Sequence, residues 1–314
     1  MDFPAPKNRH AILDLLFRWV SGFFALLIFA VMIGILAQLV GNSLPSIRRF
    51  GLGFITSNAW DPAISHEFGA ASSIYGTLVS TSIAMVCAVP LGLVIALFLV
   101  ELAHPLLGRI AGYAIELLAA IPSIIYGMWG LFVFAPFMER YLQTPLNRHL
   151  GFLPLFAGAP MGIGMLTAGV ILALMILPFV SAVMRDVFRM VPAVVKEAAY
   201  GMGSTTWEVT REVTVRYGIQ GLIGAAILGL GRAIGETMAV TFVIGNAHII
   251  SASLLSPGSS IASTLANEFA EAADPLYMSA LVELGLILFL ITLLIQLAAH
   301  FWLKRIRRSM GGGL

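Results

Sequence analysis

Two oppositely charged residues lie in a stretch of the sequence that is otherwise apolar. Arg232 and Glu236 belong to the segment GLGRAIGETMAV, residues 229–240, and small or apolar residues flank them on both sides. A charge at the centre of a bilayer costs roughly 2.5–3.5 kcal/mol on insertion scales, so we expect such residues to have a partner or a function. In a helix, a spacing of four would place both side chains on one face. The guanidinium of Arg232 is permanently charged and planar, which suits the binding of an oxyanion.

The pair has two interpretations. In the first it is an ionic site on a transport pathway, where Arg232 attracts an anion. Glu236 would then hold the arginine extended, or weaken anion binding enough for release. In the second it is a self-neutralising pair that faces other helices. Arginine before glutamate is the less favourable order for a bridge within one helix, which favours the first interpretation.

The same stretch is rich in glycine, including Gly229, Gly231 and Gly235. Small residues four apart allow two membrane helices to approach closely, so we interpret these glycines as helix-packing positions. A role in lining a narrow path is the alternative, and the two roles are compatible.

Composition places these residues in a membrane protein. Of 314 residues, 59% are hydrophobic and 11% are charged, whereas a soluble domain is about 25% charged. The net charge of +2 does not predict a nucleic-acid partner, and the single cysteine excludes a disulfide within the chain. The sequence therefore predicts an all-α protein embedded in a lipid bilayer.

Six apolar runs reach the roughly 20 residues that a helix needs to cross a bilayer. They are residues 19–41, 74–100, 110–138, 161–184, 218–245 and 276–303. Pro90 and Pro122 lie inside two of them, and we expect a bend at each. Most lysines and arginines fall in the tail 1–18, the loop 185–217 and the basic tail 304–314, which predicts that both termini and this loop are cytoplasmic.

Two further features of this layout bear on function. Glu116 and Glu283 fall within predicted spans, where interfacial or packing roles are the simplest interpretation. The acidic segment 267–275 faces outward and contains Glu268. It is either a solvated loop or a docking surface for another protein.

The loop 185–217 predicts two short helices joined by a glycine turn. Pro192 suits the first turn of a helix, and Gly201 or Gly203 suits its end. Residues Thr205 to Glu208 fit a capping box that begins a second helix. Small residues at this turn would allow another surface to come close; we expect them exposed at Ala198, Ala199, Gly201 and Gly203.

Within this loop, EAAYGMG resembles the EAA motif of ABC importer permeases, with Glu197, Ala198, Ala199 and Gly203 in register. Arg216 stands where the family pattern has proline. Four other blocks, at 115–137, 184–192, 229–246 and 260–272, are similar to the PstC-type permeases of phosphate importers. Together they cover most of the chain.

This resemblance implies a type I ABC importer permease fold in the bacterial cytoplasmic (inner) membrane, with inorganic phosphate as substrate. It also implies partners: a sister permease of PstA type, two ATPase subunits of PstB type and a periplasmic phosphate-binding protein. The segment from Glu197 to Gly203, with Gly201, would form the coupling helix that fits the ATPase. ATP and Mg would bind the ATPase, and this chain would hold no cofactor. Transport would proceed by alternating access. As an alternative to its role beside Arg232, Glu236 could face the coupling machinery.

Three rival interpretations remain open. The first is an ABC importer permease for another oxyanion, namely sulfate, molybdate or phosphonate. The second is an ion-coupled secondary transporter or channel that needs no ATPase, which leaves the EAA motif unexplained. The third is a membrane enzyme. A phosphate-binding P-loop needs a lysine directly after a glycine. None of the three lysines follows a glycine: they are Lys7, Lys196 and Lys304. The chain therefore lacks a P-loop, and we expect no enzyme active site.

Overall fold

The computed structural model describes residues 9–310, and the fold is almost entirely helical. A two-residue hairpin, β1 (Trp60–Asp61) with β2 (Glu67–Phe68), is antiparallel. In chain order the helices are α1 (Arg9–Phe50), α2 (Gly53–Thr56), α3 (Ala71–Leu97), α4 (Pro105–Ala119), α5 (Ser123–Trp129), α6 (Ala135–Met138), α7 (Thr144–Leu150), α8 (Met165–Arg189), α9 (Ala193–Gly201), α10 (Thr206–Glu208), α11 (Arg216–Ile234), α12 (Met238–Thr241), α13 (Ile261–Glu268) and α14 (Pro275–Met310). Short π-helical turns extend α3 to Leu102 and join α5 to α6, α6 to α7, and α10 to α11.

Five helical segments in the described range are long and apolar enough to cross a membrane. They are Leu13–Phe50, Ala71–Leu102, Met165–Arg189, Thr206–Ile234 and Pro275–Arg305. The second, fourth and sixth predicted spans agree with three of them to within a turn or two. The predicted loop 185–217 is shorter in the structure, because α8 continues to Arg189 and the helix that starts at Thr206 runs directly into α11.

The first helix is longer than its predicted span 19–41 and continues through Pro45 to Phe50. Its second half packs antiparallel along α14, where Ser279 Oγ donates to the Asn42 carbonyl at 2.8 Å and accepts from the Ser46 N–H at 3.1 Å. The side chains of residues 13–35, most of which are apolar, are exposed in this chain. Because these side chains are apolar, they must face lipid or another protein chain.

The core is the contact between α3 and α8. Ala84 and Ala88 of α3 are fully buried and belong to one cluster with Ile171 of α8. A Cβ added at Gly169 would lie 2.6 Å from the Cβ of Ile83, so glycine is needed for this approach. Small residues thus bring the two helices together, as is typical of membrane bundles. The helix α3 continues through Pro90 without a break.

The third predicted span, 110–138, is bent in the structure and is not one straight helix. The bend expected at Pro122 is confirmed, but it is an 88° turn between Pro105–Ala119 and Ser123–Leu150. A Cβ at Gly112 would meet Arg185, near the last turn of α8, whereas one at Gly130 would meet Ile171, near its first turns. The segment that runs the length of α8 therefore begins at Ser123, and α4 stays beside the end of α8.

The bundle has two distinct ends. At one end α3 and α8 finish and α9 lies between spans; we call this the α9 end. At the other, α3 and α14 begin beside the β1–β2 hairpin; we call this the hairpin end.

Candidate functional site

The fifth predicted span, 218–245, is interrupted in the structure. The helix α11 ends at Ile234, with Gly235 as its C-terminal cap, and residues 235–237 are non-helical. Beyond α12 the chain is irregular but packed inside the protein: the Gly164 N–H donates to the Val243 carbonyl at 2.9 Å. Such backbone is tolerated at membrane depth only where protein or a cavity surrounds it. The candidate pair therefore lies at a helix break.

Arg232 and Glu236 lie on opposite sides of this break, so the expectation that they share one helix face is wrong. Arg232 is in the last turn of α11, and Glu236 is two residues beyond its end. Within residues 9–310 no ion pair joins them within 4 Å. Among the described residues, the Arg232 guanidinium thus has no carboxylate within 4 Å.

Two aromatic residues lie near Arg232, close to the middle of the bundle. Its guanidinium carbon lies 5.7 Å from the centre of the Phe179 ring of α8, a distance typical of a cation–π contact. Phe179 is ten residues before the end of α8, or about 15 Å along the helix axis. Tyr126 of α5 is within electrostatic range of Arg232. Nothing in the sequence alone connects these three residues.

Glu236 has a structural contact of its own. Its Oε1 accepts a hydrogen bond from the Ala239 N–H at 3.2 Å. This caps the first turn of α12 and satisfies a donor that the break would leave unpaired. Glu236 therefore stabilises the break and does not neutralise Arg232.

The three predicted packing glycines have different surroundings. A Cβ at Gly229 would lie 2.6 Å from Cγ2 of Val180, and one at Gly231 would lie 2.5 Å from Nε2 of Gln296. At Gly235 the nearest atom is the Gly231 carbonyl at 3.8 Å. Gly229 and Gly231 therefore allow α11 to touch α8 and α14, whereas Gly235 ends the helix.

Chemically, this arrangement presents a guanidinium that is exposed in this chain and is not paired with a carboxylate of the described residues. A guanidinium carries its N–H donors in the plane of the group, where they can reach the oxygens of an anion. It can therefore bind an anion. No group of three or more metal-ligating side chains occurs in the described part of the chain.

The predicted coupling segment forms the helix α9 and a turn at the α9 end. The capping box expected at the next helix is confirmed, with Thr205 and Glu208 bonded reciprocally. Glu197, Ala198, Gly201 and Gly203 are exposed. Ala199 is buried, with 6% of its surface exposed, so its expected exposure is wrong.

Large apolar side chains also project from this region. Val194, Met202 and Trp207 are 73%, 81% and 69% exposed. Together with the small residues of the turn, they form an apolar patch of the kind that marks a protein interface. The sequence interpretation considered only the small residues and missed this patch. Large apolar residues in an otherwise polar loop would have indicated it.

A buried ion pair joins α9 to the end of the second span. Lys196 Nζ lies 2.5 Å from Oε1 of Glu101, and Thr214 Oγ1 donates to the same oxygen at 3.2 Å. The side chains of Glu101 and Lys196 are 8% and 18% exposed. Movement of α9 is thus tied to the helix that ends at Leu102.

At the hairpin end, Glu268 is held inside the protein, unlike the other acidic residues of 267–275. Trp60 Nε1 and the Tyr277 hydroxyl each donate to its Oε2 at 2.6 Å, and His248 Nε2 lies 3.1 Å from its Oε1. Burial alone would raise the pKa of Glu268, but hydrogen bonds from His248, Tyr277 and Trp60 outweigh it and hold the pKa below its usual value. This carboxylate fastens the hairpin to α13 and α14.

The fold is that of the transmembrane subunits of ABC importers. A bacterial alginate ABC transporter, solved in complex with a periplasmic protein bound to an alginate pentasaccharide, superposes with a TM-score of 0.62 at 15% identity. The match covers 93% of this chain and 96% of that one. The inward-facing methionine transporter MetNI gives a TM-score of 0.52 at 18% identity, covering 75% and 93% of the two chains.

Sequence relationships are more specific. Residues 88–311 match the family described as the binding-protein-dependent transport system inner membrane component. Proteins called phosphate transport system permease protein PstC are similar over nearly the whole chain. The one from Pasteurella multocida is 52% identical over 98% of this chain and 97% of its own. That from Mesorhizobium japonicum is 50% identical over 98% and 95%.

The chain belongs to this family of inner-membrane transport components. It is therefore a multi-pass permease subunit of the cytoplasmic membrane rather than an enzyme, and it works in an ABC transporter system with other subunits.

Proposed function

We propose that this protein is the permease subunit through which an ABC importer moves inorganic phosphate across the cytoplasmic membrane. The observation that carries the proposal is the similarity, at about half of all positions, to permeases named for phosphate transport. The unneutralised Arg232 supports it independently, because an anion path through a low-dielectric bundle needs a fixed positive charge.

Arg232 is the residue that attracts phosphate in this account. Its contact with Phe179 orients the guanidinium, and its planar donors match two oxygens of the anion. Glu236 acts through the backbone by capping α12, so it keeps the helix break in place. A single arginine gives weak binding, which suits a site that must also release its ion.

The apolar patch around α9 is the docking surface for an ATPase subunit. Two such subunits would bind ATP and Mg²⁺, and their closure would move α9 through the contacts of Glu197, Ala198, Gly201 and Gly203. Lys196 passes this movement to Glu101 and thus to the second span. A sister permease would complete the translocation path, and both termini would be cytoplasmic.

The hairpin end would then face the periplasm and receive a phosphate-binding protein. Alternating access follows if the transporter binds this protein more tightly in its outward-open state than in its inward-open state, since only differential affinity shifts a conformational equilibrium.

Uptake of radiolabelled phosphate tests the cargo. The chain and its partner subunits are expressed in cells that lack their own phosphate permease, and unlabelled sulfate, molybdate or phosphonate is added in excess. We expect uptake that unlabelled phosphate abolishes and that the other anions leave unchanged. Efficient competition by one of those anions would favour that oxyanion as cargo. Uptake without an ATPase would contradict an ABC mechanism.

A further inference from the structure

A cationic cavity lies at the α9 end of the bundle, and Arg232 is not among its lining residues. It has a volume of about 450 Å³ and is enclosed by the end of the second span, α4 and the last turns of α8. Its charged lining consists of Arg109, Arg185, Arg189 and Glu116. Neither the translocation path nor the proposed ATPase surface uses it.

The charges around this cavity do not balance. Arg185 is buried, with Nη2 placed 2.6 Å from Glu116 Oε1 and 3.3 Å from Asp186 Oδ1. Arg189 Nη1 lies 3.9 Å from Asp186 Oδ1. Arg109 has no carboxylate within 4 Å in the described range. Three cations against two carboxylates leave a surplus of one positive charge.

The floor of the cavity is shaped by glycines of α4. A Cβ at Gly112 would lie 2.5 Å from Nη1 of Arg185, and one at Gly108 would lie 2.9 Å from the Leu99 carbonyl oxygen. Any larger residue at either position would displace these groups. The close approach of α4 is therefore what holds the Arg185 guanidinium at the cavity wall.

The outer face of α4 is apolar. Leu106, Ile110 and Leu117 are 60%, 58% and 72% exposed. Because α4 meets the following apolar helical segment at 88°, we expect it to lie along the membrane surface and not through the bilayer. A helix with an apolar face and an arginine at this position is typical of one that lies in the headgroup region.

We propose that this cavity binds the phosphodiester headgroup of an anionic phospholipid, whose acyl chains lie along the apolar face of α4. The surplus of one positive charge matches the single negative charge of a phosphodiester, and basic pockets at this depth are a known means of headgroup recognition. Inorganic phosphate would leave the apolar face uncovered. The site is separate from the proposed transport path and does not depend on it.

Native mass spectrometry of the assembled transporter in detergent tests this proposal. Phosphatidylglycerol and phosphatidylcholine with the same acyl chains are added in parallel, and inorganic phosphate is added as a competitor. The test variant is Arg109→Gln, and Arg109→Lys retains the charge. Arg148→Gln is the matched control, because Arg148 is exposed at the hairpin end and has no ion pair within 4 Å in the described part of the chain.

We expect phosphatidylglycerol to bind in preference to phosphatidylcholine, and Arg109→Gln to weaken that binding about fivefold, as one arginine near a membrane surface contributes. Arg109→Lys and Arg148→Gln should bind as the wild type does, with equal assembly of the complex. Equal binding of the two lipids would overturn the proposal. An unaffected Arg109→Gln variant, or displacement of the lipid by millimolar inorganic phosphate, would overturn it as well.

Discussion

Replacing Lys196 by methionine should release α9 from the end of the second span. Methionine keeps an unbranched side chain but removes the ammonium that lies 2.5 Å from Glu101. The Glu101 carboxylate would then stay in a site where its side chain is 8% exposed. It would keep the hydrogen bond that the Thr214 hydroxyl donates to it.

The magnitude follows from this burial. Removing one partner of a buried ion pair costs about 3–5 kcal/mol. The partial exposure of Lys196, and the hydrogen bond that Thr214 retains, reduce the cost to about 2–3 kcal/mol. At about 1.4 kcal/mol per factor of ten, the open population of α9 should rise about 30- to 140-fold.

Hydrogen exchange of the α9 amides measures this population directly, because local opening sets the rate of exchange. The matched control is Arg216→Met, which breaks an exposed pair with Glu212 at 3.0 Å. Exposed pairs contribute about 0–1 kcal/mol, so this variant should leave α9 unchanged. Exchanging the charges, with Glu101→Lys and Lys196→Glu together, should restore much of the protection.

Transport should respond in the same direction. If α9 passes movement to the second span, Lys196→Met will hydrolyse more ATP for each phosphate ion imported. Exchange rates in α9 within twofold of the wild type, with a normal ratio of ATP to phosphate, would refute the role of the Lys196–Glu101 pair.

Three further predictions concern the helix break and the hairpin end. Gly229→Ala should lower the unfolding temperature, because overpacking costs about 1–3 kcal/mol. Gly224→Ala should leave that temperature unchanged, because a Cβ at this position meets nothing within 4 Å. Equal effects of the two variants would contradict the proposed contact between α11 and α8. Glu236→Gln should retain phosphate uptake, because glutamine keeps a side-chain oxygen for the α12 cap. Glu236→Ala should reduce uptake. Two equally inactive variants would show that uptake requires the negative charge of Glu236 and not only the cap. The lowered pKa of Glu268 contributes stability that is complete above the ordinary carboxyl pKa of about 4.3 and is lost as the pH falls below it. Thermal unfolding against pH should show this loss in the wild type and not in Glu268→Gln, and identical curves would contradict it.

Composition and capping signals predicted much of this fold. The spans near 74–100, 161–184 and 276–303 are apolar helices of the expected length, because only a helix satisfies its own backbone in lipid. The capping box at Thr205 depends on local hydrogen bonds, which a sequence shows directly.

The hydropathy of a helix does not determine its orientation relative to the rest of the bundle. Residues 110–119 are apolar and were expected to form part of a crossing helix, but α4 is turned by 88° from the helical segment that follows it. Its packing depends on Gly112 against Arg185, which are far apart in the chain. The sequence equally could not pair Glu116 with Arg185 at 2.6 Å, so Glu116 was placed inside a span.

The candidate site was located by residue type but not by geometry. The apolar run continues past Ile234 to residue 245, so hydropathy does not reveal the helix end between Arg232 and Glu236. The neighbours of Arg232, namely Phe179 and Tyr126, come from other helices. The spacing of four predicted a pair, whereas the structure separates an arginine from a capping glutamate.

Phosphate uptake by Arg232→Gln is the most direct test of the account. The matched control is Arg216→Gln, which removes an exposed charge from the other end of the same helix. Loss of a charge-assisted hydrogen bond costs about 1.5–3 kcal/mol, so uptake should fall about tenfold or more at equal membrane abundance and intact assembly, while Arg216→Gln remains active. Normal uptake by Arg232→Gln would contradict the proposed anion path.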